Sequence, residues 1–151
     1  EGDGSIQLNI QELQTVVHYK LPAKIFVFNN EGYLSIRITQ ENFFKSHYVG
    51  SNPQSGVSFP DMGKISKAYG IPFLRINNQT TLEEKLRHVL DAEGPIICEI
   101  MMDPGQPLIP KITSVIKPDG KMISKPYEDM YPFLPREEFY QNMIIEPLKD
   151  D

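Results

Sequence analysis

Residues 24–30 read KIFVFNN. Ile25, Phe26, Val27 and Phe28 are β-branched or aromatic, the residue types that fit a pleated backbone. No polar residue separates them, so a strand built from them carries apolar side chains on both faces. Such a strand is stable when helices cover both faces, the setting of a parallel α/β sheet. Pro22 bounds the run on one side and Asn29-Asn30 on the other.

Two more runs of the same kind lie downstream, IPFLRI at 71–76 and PIICEIMM at 95–102. Three stretches with helical spacing alternate with the strands. In SIQLNIQELQTVVH (5–18), Ile6, Ile10, Leu13 and Val17 share a face, with Ser5 expected as the N-cap. In DMGKISKAYG (61–70), Met62, Ile65 and Tyr69 do the same and Gly70 is the stop. In TTLEEKLRHVLDAEG (80–94), Leu82, Leu86, Val89 and Leu90 share a face, Thr80 and Glu83 stand at capping-box spacing, and Gly94 marks the end. Residues 30–59 show little periodicity, contain GSNPQSG and read mostly as loop. Helix–strand repeated three times predicts an α/β fold: a three-layer α/β/α domain with a mainly parallel sheet over residues 1–102. Residues 103–151 differ, because they hold eight of the thirteen prolines. KPDGK (117–121) reads as a turn and PREEFYQNMI (135–144) as a short helix. The whole stretch reads as a C-terminal arm laid over the domain or onto a partner.

Composition excludes several classes. A chain of 151 residues with 40% hydrophobic and 23% charged content has the makeup of one globular domain rather than a disordered segment. A net charge of −5 with scattered lysines argues against nucleic-acid binding. No apolar run reaches the roughly 18 residues of a membrane-spanning helix. Cys98 is the single cysteine, has no internal disulfide partner, and sits in an apolar run as a core thiol rather than a nucleophile. A cytoplasmic location is therefore expected. The first residue is Glu rather than Met, which reads as a piece of something longer.

The chemistry gathers around GDGS (2–5). Glycines allow close backbone approach and unusual dihedrals, and a helix start offers N–H groups to phosphate. A carboxylate there repels phosphate unless a cation stands between them. Mg²⁺ takes about six hard oxygen ligands from a few side chains, phosphates and water. Asp3 can give one, Asn30 an amide oxygen, and Gly32 a carbonyl. The distance from Asp3 to Asn30 fits one helix-and-strand return to the same sheet edge. Each part alone is a weak signal: GDG is commonly a turn, and Asn77-Asn78 is a decoy that also follows a strand.

GDGS, about two dozen residues, then Asn-Asn resembles the signature of thiamine-diphosphate-dependent enzymes. The text GDGSIQLNIQELQTVVHYKLPAKIFVFNNEGYLSIRITQ is similar to the acetolactate synthase and pyruvate decarboxylase branch, and the likeness continues through FPDMGKISKAYGIPFLRI and LDAEGPIICEIMMD. It covers roughly residues 1–110. The resemblance implies the thiamine-diphosphate-binding fold, truncated at its N-terminus. It implies that Asp3, Asn30 and the Gly32 carbonyl bind Mg²⁺ and that Gly2, Gly4 and Ser5 lie against the diphosphate of thiamine diphosphate. Tyr33 and Leu34, directly after the metal ligands, are expected to line the cofactor or pack beside it. Also implied are a pyrimidine-binding domain on the same or a second subunit, a small 2-oxo acid substrate and a homo-oligomer. No catalytic residue of this chain is assigned, because the activating glutamate belongs to that other domain. Ser35 and Thr39 stand where acetohydroxyacid synthases tend to carry Met and Trp, which leaves the substrate and acceptor open. The reading is a domain of a decarboxylase or carboligase; the alternative is a non-catalytic fragment or binding module. A phosphotransferase is disfavoured, since the phosphate loop has no Lys.

Other polar candidates have structural explanations. His18 and His88 fall on helices away from the motif; the exception is His47, which lies in the loop after it and is kept as a candidate for touching substrate. Glu83-Glu84 and Glu137-Glu138 suit solvated helix starts. Met101-Met102 belongs with the core.

Overall fold

The computed structural model describes residues 1–147. Two compact units divide between Gln106 and Pro107.

In the first unit the expected strands form at β1 (Lys24–Asn29), β2 (Phe73–Ile76) and β3 (Ile96–Met101). They make one parallel sheet in the order β1-β3-β2, so the last strand is central. That position explains the burial of Ile96 to Glu99, whereas Met101 at the strand end is exposed, contrary to the expectation that Met101-Met102 belongs with the core. Residues alternate between the two faces of a strand, and two cores result. On one face Val27 and Ile97 pack with Ile6, Leu13 and Met62. On the other Cys98, Ile96 and Ile76 pack with Val89. The first core takes residues from the opening segment and from α3 (Met62–Tyr69), the second from α4 (Leu82–Asp91). Helices thus cover both faces of a parallel sheet. Cys98 is fully buried, and burial raises its thiol pKa, as suits a core side chain.

Local details depart from the sequence reading. The opening segment is two 3₁₀ turns, Ser5–Leu8 and Ile10–Glu12, leading into a short α1 (Leu13–His18). Gly4 takes the N-cap position there and Ser5 is the first turn residue. Residues 30–59 are not mostly loop: α2 runs Leu34–Phe43 and a 3₁₀ turn covers Pro53–Ser55. The inner face of α2 buries Arg37 beside Leu34, while Ile36 points out, which hides the apolar stripe. Thr80 and Glu83 form no capping box. Asn78 caps a 3₁₀ turn through the Thr80 N–H at 3.1 Å, and Glu83 instead pairs with Arg87 at 2.7 Å. α4 ends at Asp91, before Gly94. α3 does start with an aspartate cap, Asp61 accepting from Lys64 N–H at 2.8 Å, and it ends on left-handed Gly70.

The second unit carries regular structure that its prolines conceal. β4 (Ser114–Ile116) and β5 (Met122–Ser124) pair antiparallel across the expected KPDGK turn, where Gly120 has φ +84°. The short helix α5 spans Arg136–Asn142. Residues 148–151 of the expected arm lie outside the described residues. Among the described residues no helix is long and apolar enough to cross a membrane.

Candidate functional site

Ligands of parallel sheets gather at the carboxyl ends of the strands, where the chain turns into a helix. Here that end of β1 meets the start of the chain. Gly2 bridges to Phe28 in parallel, and the Asp3 N–H donates to the Phe28 carbonyl at 3.0 Å. Asp3 is thereby seated beside the turn that follows β1. Its Oδ1 accepts from the Gly4 N–H at 2.9 Å and its Oδ2 from the Gly32 N–H at 3.1 Å. The spacing between GDGS and Asn-Asn is spanned in the structure by this direct contact.

The turn itself is tightly held. Glu31 has φ +60° and Gly32 φ +149°, both in the left-handed half of the map. A Cβ on Gly32 would stand 2.2 Å from the Ser51 carbonyl oxygen, so only glycine fits. That same carbonyl accepts from the Tyr33 N–H at 2.9 Å. A Cβ on Gly4 would meet the Tyr33 ring at 2.5 Å. Tyr33 therefore lies over the GDGS turn, edge-on to Phe59 with ring centroids 5.6 Å apart. Leu34 is buried at the start of α2, whereas Ser5 is exposed. Ser35 and Thr39 also face out, with the Thr39 hydroxyl donating to the Ser35 carbonyl at 3.0 Å.

Two features of the site are electrostatically incomplete. Asp3 is 4% exposed, and burial raises its pKa, an effect that the Gly32 and Gly4 N–H groups partly offset. Among the described residues the Asp3 carboxylate is held by the Gly4 and Gly32 N–H groups, so its charge rests on backbone dipoles. Asn30 is also buried, and its Oδ1 is the buried side-chain oxygen without a hydrogen-bond partner among the described residues. An unpaired buried acceptor costs about 1–3 kcal/mol. A buried acid beside the turn that carries an unpaired amide oxygen has the donor chemistry of a hard-cation site. Among the described residues no three His, Cys, Asp or Glu side chains come together.

A cleft of about 460 Å³ opens beside this turn, lined by Asp3, Asn29, Glu31, Phe59, Arg75 and Glu99 among others. Sequence reasoning passed over its polar wall. Glu99 is 3% exposed inside β3, with Oε1 accepting from Asn29 Nδ2 at 2.7 Å and Oε2 from Arg75 Nε at 2.5 Å. Arg75 also reaches Asp61, at 3.3 Å. The signal was a lone Glu in an otherwise apolar run, a residue type almost never fully buried unless paired. Arg37 was also passed over; it donates to the Pro104 carbonyl and, at 3.5 Å, to the Asn30 carbonyl. The decoy Asn78 is exposed and caps a turn, and His18, His47 and His88 are all exposed.

Residues 1–100 match the family model described as thiamine pyrophosphate enzyme, C-terminal TPP binding domain. The chain is similar to the acetolactate synthase large subunit of Pyropia yezoensis, 32% identical over 111 residues, which cover 74% of this chain and 18% of that protein. The large subunit of Cyanidium caldarium is equally similar, with 74% and 19% covered. Acetolactate synthase 2, chloroplastic, of Nicotiana tabacum is 30% identical over 118 residues, covering 76% and 18%. The chain thus spans under a fifth of the length of these relatives.

Proposed function

The chain belongs to the thiamine pyrophosphate enzyme family, as a C-terminal TPP-binding domain, and from that premise we propose that it holds the magnesium-diphosphate end of thiamine diphosphate in a longer 2-oxo-acid decarboxylase or carboligase resembling acetolactate synthase. The observation that carries this reading is the unpaired, buried Oδ1 of Asn30 next to the turn that Asp3 grips. In this reading Asp3, Asn30 and the Gly32 carbonyl hold Mg²⁺. Hard oxygens suit that ion, and a cation offsets the cost of burying the Asp3 charge. Gly2, Gly4 and Ser5 take the diphosphate; Gly4 has no side chain in the way, and the Tyr33 ring beside it limits water at the turn. Leu34 supports Tyr33 from the start of α2. When bound, the cofactor supplies the carbanion chemistry that releases CO₂ from a small 2-oxo acid. This chain anchors and orients; a pyrimidine-binding domain of the same or a second subunit completes the site, in a homo-oligomer. In this reading residues 1–102 form the binding domain and 103–151 a C-terminal arm. The proposed location is the cytoplasm, although the tobacco relative is a chloroplastic protein.

The test is calorimetric titration of the full-length protein with thiamine diphosphate, with and without Mg²⁺. Binding that requires Mg²⁺, is lost in Asn30→Ala and survives in Asn78→Ala is the expected result. Equal losses in both variants would overturn the assignment. CO₂ release from pyruvate or 2-oxobutyrate then separates enzyme from module, since binding without turnover favours the non-catalytic alternative. Residues 1–151 alone are expected to show no turnover.

A further inference from the structure

Asn29 has no role in the reading above, yet its side chain is fixed at both ends. Nδ2 donates to Glu99 at 2.7 Å, and Oδ1 accepts from the Glu31 N–H at 3.2 Å. Neither contact allows the amide to turn over. An ionised carboxylate only accepts, and a backbone N–H only donates. Glu99 is itself held from the opposite side by Arg75, which reaches on to Asp61 at the cap of α3. A line of hydrogen bonds therefore runs from α3 through β2 and β3 to the turn after β1. It ends at Glu31, whose left-handed backbone is uncommon for a residue with a side chain. Such a conformation persists when its surroundings over-determine it.

We infer that Glu99 is a positioning residue: by fixing the Asn29 amide it sets the Asn29–Gly32 turn that presents Asn30 and Gly32 to Asp3. The inference rests on the magnesium-diphosphate reading for its purpose, though not for its mechanics. Glu99→Gln makes the logic explicit. Arg75 Nε needs an acceptor, so it draws the Gln oxygen to its side, which turns the Gln NH₂ toward Asn29. Two donors then face each other. Asn29 must flip, and the Glu31 N–H loses its acceptor. Asn29→Asp alone sets two carboxylates against each other. Asn29→Asp with Glu99→Gln restores every bond, because Gln donates to the new Asp and that Asp still accepts from Glu31.

The experiment uses the full-length protein and two readouts. Hydrogen exchange of the ligand-free protein, read by mass spectrometry over residues 29–34, reports the turn. Calorimetric titration with thiamine diphosphate and Mg²⁺ reports the site. In Glu99→Gln we expect exchange at Glu31 to quicken about tenfold and affinity to fall about tenfold, the scale of losses on removing an outer-shell partner. Both single variants should be impaired and the double variant should return to within about threefold of the parent, the tolerance we set for rescue of a restored network. Wild-type exchange in Glu99→Gln, or a double variant no better than its worse parent, would overturn the inference. If a single variant fails to fold, recovery of fold and protection in the double variant supports it and failure to recover refutes it. Should the unaltered protein bind no thiamine diphosphate, the magnesium-diphosphate reading falls while the exchange result still decides the role of Glu99.

Discussion

Asp3 and Asp129 are equally screened from solvent, each 4% exposed, yet their carboxyl pKa values are displaced in opposite directions. Asp129 accepts two bonds from the Arg136 guanidinium, at 2.8 and 2.9 Å, with Lys125 a further 3.5 Å away. Arg136 is the main cause that holds its carboxyl below the usual range. Asp3 has backbone N–H groups for partners, and burial pushes its carboxyl up. A carboxylate matched by the protein's own cations has a structural explanation. One held by dipoles alone, beside an unpaired Asn30 oxygen, has donor capacity left for something from outside. Surface exposure by itself does not separate the two cases; the deeper burial of Asp3 and the guanidinium beside Asp129 do.

The strongest way to break this contrast is Asp3→Ala in the full-length protein. Mg²⁺-dependent binding of thiamine diphosphate should weaken by more than about a hundredfold, beyond the loss typical of removing an outer-shell partner. Retained affinity in calorimetry would put Asp3 on the same footing as Asp129.

Gly32→Ala probes the geometry that seats Asp3. The added carbon meets the Ser51 carbonyl oxygen at 2.2 Å, against backbone that cannot easily give. Overpacking and strain together should cost about 3 kcal/mol in urea unfolding. Gly70→Ala is the control, since its φ is also positive but nothing lies within 4 Å; a cost near 1 kcal/mol is expected there. Equal costs would mean that the close approach to Ser51 is not a constraint.

Asp129→Ala should lower stability by about 2 kcal/mol, less than for a fully buried pair, because the Arg136 side chain is 44% exposed. The same pair predicts a pH dependence. The folded-state pKa of Asp129 lies below its unfolded value near 4, so its contribution is complete above that value. It is lost as pH falls through the lowered folded pKa. Denaturation midpoints of parent and Asp129→Asn followed downward from pH 5 should converge; a constant gap would remove the ion pair from the explanation.

The smallest effect belongs to Asn78, the counterpart of Asn30 in the second Asn-Asn pair. Asn78→Ala removes a cap from an exposed turn and should cost about 1 kcal/mol in thermal unfolding, with cofactor binding unchanged. A matching loss of binding would dissolve the distinction between Asn30 and Asn78.

The sequence by itself determined the three strands, their parallel pairing and the helices around 62–69 and 82–91. Unbroken apolar runs and regular apolar spacing are local properties, and they require only that something cover each face. It also determined the family, through GDGS and Asn29-Asn30. Helix α2 escaped because Arg37 sits on its inner face, where a carbonyl partner at Pro104 makes burial tolerable. The β4–β5 hairpin escaped because prolines dominate its surroundings. Among the described residues, tertiary structure alone decided which asparagine is exposed, which keeps an unpaired oxygen, and which aspartate is held by backbone N–H groups rather than a guanidinium. It alone joined Asn29 to Glu99 across 70 positions of chain and Glu99 to Arg75 across 24. Those outcomes depend on which side chains arrive opposite one another when β3 inserts between β1 and β2, and no local pattern in the chain encodes that meeting.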